Sequence, residues 1–446
     1  MTVEISTTED TTTRESMFPV ISASTLGTAI EWFDFFLYGF LAVTVFPTVF
    51  FPQLDPFAGI IASFTTNFVG FAARPLGGAF FGWFGDRIGR QSTLVATLLL
   101  IGTTTIMMGT LPGYVTIGIA APILLFVLRF LQGLGVGGEW GGAVLLAMEY
   151  GDDRHRGFWT SWPQTGVPLG LALSALSVLL FRSLYPSVAF QSIGWRIPFL
   201  LSAMLVIVGL YIRLRILETP RFARVKAEKR ESQAPLIDAF RYHWREVVLS
   251  ALARSGEQAP FYIFTTFVLS YAVETLKLET LLLYTGFIVA ALIAILTIPA
   301  FSALSDRIGR RRWSLIGAVM VGAFAFPYFL LLNTRNPLLV VIAIALSLGL
   351  CHAWLYGPQA ALIAERFSTK LRYTGTSLGY QLASIIAGGP APIIATYLLA
   401  NREALAPGSP GFVLIAAYII IMAGISLIAI LLLKEYAGGA PAEDVN

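Results

Sequence analysis

The sequence predicts an all-α membrane protein of twelve spanning helices arranged as two six-helix bundles. Three observations lead there. Hydrophobic residues make up 56% of the chain against 13% charged, with a mean hydropathy of +0.74. Apolar runs of about 20 or more residues, the length needed to cross a hydrocarbon core of roughly 30 Å, recur along nearly all of the sequence. One basic loop sequence also occurs twice, at equivalent places in the two halves. Soluble globular domains are far more polar than this. The alternating pattern of a membrane barrel is missing, which leaves helices as the way to satisfy the backbone in lipid.

Residues 1–17 begin with MTVEISTTEDTTTRES, which is polar and lacks the basic segment, apolar core and cleavage site of a signal peptide; they read as a disordered tail. Spans are then expected at 18–47, 57–84, 92–111, 117–148, 158–182 and 193–216, and at 245–273, 280–304, 314–332, 336–364, 373–399 and 411–434. Most basic residues outside the spans collect on the loops that share a side with the termini. The other side holds only Arg182, Arg196, Lys277, Arg335 and Arg402, while Arg74, Arg129 and Arg254 fall within spans. This bias puts both termini in the cytoplasm. The polar stretch from Leu217 to Glu246 divides the chain into bundles 18–216 and 245–434. Its core, 217–244, reads as a cytoplasmic linker with an amphipathic helix, and 435–446 as a second tail.

The division is supported by a repeat. GDRIGRQST at Gly85 to Thr93 returns as SDRIGRRRW at Ser305 to Trp313, each time after the second span of its half. Glu149, Arg156 and Gln164 are echoed by Glu365, Arg372 and Gln381. Two halves repeated in parallel imply a pseudo-twofold axis along the membrane normal, with a pathway between them.

Ionisable residues inside spans are costly and mark function. On the first span Glu31, Asp34 and Tyr38 share one helical face, so this polar stripe is expected to line the cavity, with Trp32, Phe33, Phe36 and Leu37 turned elsewhere. An acid poised between protonated, paired and hydrated states is a proton carrier, so Asp34 and Glu31 are both candidates, Glu31 alternatively as a substrate contact. Arg74 on the second span and Arg254 on the seventh come from opposite halves, as gripping a ligand between them requires. An arginine holds a carboxylate bidentately, which favours an organic acid. Against this, Arg254 and Glu257 at i and i+3 can neutralise each other, and Arg74 can pair with Glu139. Gln164, Tyr262, His352, Trp354, Tyr356, Gln359, Tyr380 and Gln381 are candidates to complete the pocket. The run Gly133-Leu-Gly135-Val-Gly137-Gly138 imitates a dinucleotide loop but lies inside an apolar helix, where small residues serve close helix packing.

In the repeated loops, Asp86 and Asp306 stand at helix ends where a carboxylate can meet the positive N-terminus of a helix from the other half. Arg90 and Arg310 then reach towards Glu149 and Glu365. Prolines and glycines at Pro163, Gly166 and Pro168, and at Gly388, Gly389, Pro390 and Pro392, mark bent helices in corresponding places. Cys351 stands alone and the three histidines are scattered, which excludes a disulfide framework and a His-rich metal site.

The motif Gly82-x-x-x-Asp86-Arg87-x-Gly89-Arg90 and its second copy, which includes Arg307, resemble the inner-loop signature of the major facilitator superfamily. Arg129-x-x-Gln132-Gly133-x-Gly135-x-Gly137-Gly138 resembles its fourth-helix motif. EWFDFFLYG at Glu31 to Gly39, RPLGG at Arg74 to Gly78 and QGLGVGGEWGGA at Gln132 to Ala143 resemble the metabolite:proton symporters, the subfamily of shikimate, oxoglutarate, citrate and proline/betaine carriers. The resemblance implies that Asp34 is the proton site, pairing with Arg129 when ionised and releasing it when protonated; a static structural pair is the competing reading. It implies further that the loop charges, with Glu218 and Arg221 in LETPRF, latch the cytoplasmic side shut. The function expected is a proton-coupled symporter importing a small carboxylate across a prokaryotic-type cytoplasmic membrane as a monomer. No cofactor, metal or nucleic acid enters this reading. A compatible-solute carrier, an exporter and a non-transporting nutrient sensor are the rivals, and no nucleophile, metal cluster or phosphate loop supports an enzyme.

Overall fold

The computed structural model describes residues 17–88, 90–214, 235–367 and 371–434. Long apolar segments give twelve helical rods among them. The first six are α1 (Met17–Thr44), α2 (Pro56–Ile88), α3 (Arg90–Thr110), α4 (Ala120–Tyr150), α5 (Arg156–Leu184) and α6 (Arg196–Arg213). The second six are α7 (235–275), α8 (Thr280–Ile308), α9 (Arg310–Asn333), α10 (Pro337–Ala364), α11 (Arg372–Ala400) and α12 (Val413–Leu432). Nine of these are long and apolar enough to cross a membrane outright, and α6 with the bent segment Ser187–Gly194 makes a tenth. The other two, α2 and α7, carry the central arginines Arg74 and Arg254. Most of the amphipathic segment expected in the linker lies outside the described residues; α7 begins at Pro235 and bends at His243 before entering the bundle.

The packing pattern repeats with a shift of six helices. In the first half α1 packs on α5 and α2 on α4; in the second, α7 packs on α11 and α8 on α10. Across the halves α5 lies against α8, and α11 against α2. This is the arrangement that a pseudo-twofold axis between two parallel repeats requires. Within the first half α2 and α4 approach backbone to backbone, because a Cβ at Gly133 or Gly137 would run into the carbonyls of Gly70 and Arg74. The glycine run is therefore a packing device.

Regularity differs between the halves. Among the described residues the second half carries π-turns at Ile263–Phe267 and Tyr271–Thr275 in α7, Ser347–His352 in α10 and Ser384–Gly388 in α11; the first half has one, at Phe190–Gly194 before α6. A wide turn of this kind carries an extra residue and often accompanies a functional site.

Candidate functional site

Two members of the polar stripe of α1, Asp34 and Tyr38, turn into their own half. Asp34 is fully buried and its Oδ2 accepts a hydrogen bond from Thr105 Oγ1 of α3 at 2.7 Å. Tyr38 donates to the Ser63 carbonyl of α2 at 3.4 Å. What α1 presents to the second half is aromatic: Trp32 meets Phe261 and stacks on Tyr262, Phe36 meets Phe261, and Phe40 stacks on Phe287. The expected lining is thus reversed for Asp34 and Tyr38, Tyr38 lying under the Arg129 guanidinium within its own half. Helical periodicity states which residues share a face but not what that face packs against.

Asp34 and Arg129 do not pair directly. Gln132 Nε2 donates to Thr105 Oγ1 at 2.7 Å, and the Arg129 guanidinium donates to Gln132 Oε1 and to Asn67 Oδ1. Arg129 also stands 3.8 Å over the Tyr38 ring. Acid and arginine are therefore joined through Thr105 and Gln132, forming a buried relay across α1, α3 and α4. Asp34 Oδ1 has no hydrogen-bond partner among the described residues. Glu31, the third member of the stripe, is buried on α1 and acts electrostatically on Tyr380 of the other half.

At the centre a narrow void is lined by Trp32 and Val167 from the first half and by Arg254, Glu257, Gln258, Phe261, Tyr262, His352 and Tyr356 from the second. It is too narrow to admit water in this state. Arg254 and Glu257 form the ion pair that their spacing allowed, at 3.0 Å, and Glu257 is also 2.9 Å from His352. Two polar atoms on the lining, Tyr262 Oη and Gln258 Oε1, are buried without a hydrogen-bond partner among the described residues. Orphaned polar groups are rare in a dry interior, and both belong to residues that line this void. Arg74 is buried above the aromatic floor, 4.5 Å from the Phe71 ring and 5.6 Å from that of Trp32. Glu139 is buried on α4.

Gln164 and Gln381 stitch the halves together. Gln164 accepts from Trp140 Nε1 at 2.7 Å and donates to the Tyr356 carbonyl at 3.0 Å, and Gln381 reaches the Val136 and Gly137 carbonyls at 3.5 Å. Trp140 in turn stacks on Tyr380, which lies under Arg254. Sequence reasoning missed Asn67, Thr105, Trp140 and Gln258. An asparagine or threonine in an apolar span was the available signal for the first two.

At one end of the bundle Asp306 accepts from the backbone N–H groups of Gly157 and Phe158 at 2.9 and 3.0 Å, which form the N-terminus of α5. Arg310 bridges Asp306 at 2.8 Å and Glu365 at 2.9 Å. A carboxylate on a helix N-terminus is favoured by the helix dipole, and the contact crosses from one half to the other. Gly157 permits it, since a Cβ there would lie 2.6 Å from Asp306 Oδ1. Asp152 caps the preceding turn through the N–H groups of Arg154 and His155. Burial works against its charge, but bonds from Trp159 and His155 hold the Asp152 carboxyl below the ordinary carboxylate range. Glu149 is buried at the end of α4, and Arg307 is exposed. The side chains of Asp86, Arg87 and Arg90, and residues Glu218 and Arg221, lie outside the described residues.

The opposite end opens into a vestibule of ≈ 240 Å³ lined by Thr44, Arg182, Gln191, Glu274 and Thr280 among others. Arg182 at the far end of α5 donates to Thr280 at the start of α8 at 2.7 Å.

A family model described as Major Facilitator Superfamily matches residues 25–392. The inner membrane metabolite transport protein YhjE of Escherichia coli (strain K12) is 41% identical over 421 residues, 93% of this chain and 94% of the relative. The shikimate transporter of the same organism is 39% identical over 390 residues, 85% of this chain and 88% of the relative. The proline/betaine transporter of Salmonella typhimurium is 35% identical over 440 residues, with 95% and 85% covered. Among solved structures, the proton:xylose symporter XylE bound to 6-bromo-6-deoxy-D-glucose superposes with a TM-score of 0.73 at 16% identity, covering 95% of this chain and 97% of that one. That last likeness speaks to the fold alone.

Proposed function

This chain belongs to the Major Facilitator Superfamily, and we propose that it is a proton-coupled symporter importing a small carboxylate across a prokaryotic inner membrane by alternating access. As a member of that family it is an integral membrane transporter and not an enzyme. The observation that carries the proposal is the central void between the halves, lined by buried Arg254 and by Tyr262 and Gln258, whose hydroxyl and side-chain carbonyl have no hydrogen-bond partner among the described residues. A ligand carboxylate and its neighbouring hydroxyls are the groups that such a lining would satisfy. The relatedness to a shikimate transporter favours the same chemistry.

Coupling is assigned to Asp34. Its Oδ1 can gain or lose a proton without breaking the bond from Thr105 to Oδ2, and Gln132 passes the change in charge to Arg129. Asp306 and Arg310 form the cytoplasmic latch, so both termini face the cytoplasm and the vestibule faces outward. The protein acts as a monomer in this reading.

A second reading, a compatible-solute symporter, is favoured by one feature: Trp32, Phe261 and Tyr262 form an aromatic wall beside Glu257, which would suit a quaternary ammonium. The proline/betaine relative has the same implication. Uptake into proteoliposomes with an imposed pH gradient separates the two. Labelled shikimate should accumulate and glycine betaine should not. Asp34→Asn should abolish accumulation while leaving counterflow exchange. Wild-type accumulation in that variant overturns the assignment of the proton.

A further inference from the structure

A second set of buried ionisable groups lies in the other half, apart from the relay on α1. Glu257 is 2% exposed; Oε2 accepts from Arg254 Nη2 at 3.0 Å, and Oε1 is 2.9 Å from His352 Nε2. Arg254 also donates from Nε to Gln359 Oε1 at 3.0 Å and from Nη1 to the Tyr380 carbonyl at 2.8 Å, so three of the five N–H groups of its guanidinium are engaged. Because an ionised carboxylate only accepts, Nε2 of His352 carries the hydrogen, and in the neutral form of the ring Nδ1 is the bare nitrogen. The imidazole is stacked between Phe261 and Tyr356 at 4.4 and 4.8 Å, on the wall of the central void. The ionisable groups around this pair are Arg254, Tyr262, Tyr356 and Tyr380 from the second half. Arg74 and Glu31 of the first half act at longer range, through Tyr262 and Tyr380.

With neutral His352 the triad carries no net charge, since Arg254 is already matched by Glu257. A carboxylate entering the void would add an uncompensated charge to a dry site, which is strongly unfavourable. One more proton on Nδ1 resolves this without new geometry: Nε2–H stays on Glu257, the ring becomes imidazolium, and the triad gains the single positive charge the ligand needs. We propose that the Glu257–His352 pair takes up one proton from water as a carboxylate docks against Arg254, independently of Asp34. A zwitterion brings its own cation and requires no such proton. The triad thereby distinguishes an organic acid from a compatible solute. This inference rests on the carboxylate reading above.

The test uses purified full-length protein in unbuffered detergent solution, with a pH indicator for protons and tryptophan fluorescence for binding. Shikimate should bind with close to one proton taken up, and glycine betaine with none. The Kd for shikimate should rise by up to about tenfold per pH unit, the slope of a single linked proton. Asp34→Asn should retain this proton. His352→Gln and Glu257→Gln should lose it and bind shikimate with an affinity flat in pH. Proton uptake persisting in both of those variants overturns the proposal, as does proton-free shikimate binding in the unaltered protein. Should either variant fail to fold, 15N-histidine NMR of the His155→Gln, His243→Gln protein decides: Nδ1 of His352 must protonate on shikimate addition, and an unchanged signal overturns the proposal. Loss of the proton in Asp34→Asn with retention in His352→Gln removes this inference and leaves the symport reading standing. Binding of glycine betaine but not shikimate removes the carboxylate reading as well.

Discussion

Thr105 is one of three consecutive threonines in an apolar helix, and it holds the relay together. Its hydroxyl donates to Asp34, accepts from Gln132 and also lies 2.9 Å from the Ile101 carbonyl of its own helix. The last contact explains why it could not be read from the sequence: a threonine in a helix satisfies itself on the preceding turn, so its second role depends on which helix stands opposite. Asp34 was legible because an acid inside a span is expensive wherever it points. Its partner was not, since α1, α3 and α4 are brought together only by the fold. Thr105→Val leaves the Asp34 carboxyl and the Gln132 amide without their link, at about 1–3 kcal/mol. The variant should melt at a lower temperature than the unaltered protein and lose gradient-driven accumulation. Retention of both would show that the relay is incidental.

At the scale of elements, α5 meets the other half at both ends, through α8 each time. Its N-terminus receives Asp306, a contact legible in the sequence from an aspartate repeated at two helix ends. The facing of α1 was not legible, because its polar and aromatic faces both look like plausible linings and burial alone decides between them. Charge-assisted hydrogen bonds contribute about 1.5–3 kcal/mol each, so Asp306→Asn should shift the population towards the state open at the latch end by tenfold or more. Labelling of a cysteine placed in the cavity from that side measures it; an unchanged labelling rate contradicts the latch. Gly157→Ala should act in the same direction, because its Cβ would occupy the space that the aspartate needs.

For the whole molecule, the two-half architecture followed from the repeated loop and the twelve apolar runs, and the six-helix shift in packing agrees with it. The conformational state did not follow, because both states use the same sequence and differ only in which end is tied. Here both ends are tied, by Asp306 at one and by Arg182 with Thr280 at the other. The two ties stand on opposite ends of α5, roughly 40 Å apart at 1.5 Å per residue. Arg182→Ala should favour the vestibule-open state by about fivefold, the worth of one exposed hydrogen bond. Combined with Asp306→Asn it should give the algebraic sum of the two shifts, since sites so far apart act independently. Accessibility from both sides tests this, and a non-additive result would mean that the ends are mechanically linked.

The aromatic face of α1 gives the transport cycle a temperature signature. Separating the halves on either side wets rings such as Trp32, Phe36 and Phe40 together with Phe261 and Phe287, and newly wetted apolar surface raises heat capacity. Chilling weakens the drive to keep those rings dry, so open forms gain ground in the cold. Carrier turnover plotted against reciprocal temperature should therefore bend, and trimming Phe36 and Phe40 to leucine should straighten the curve.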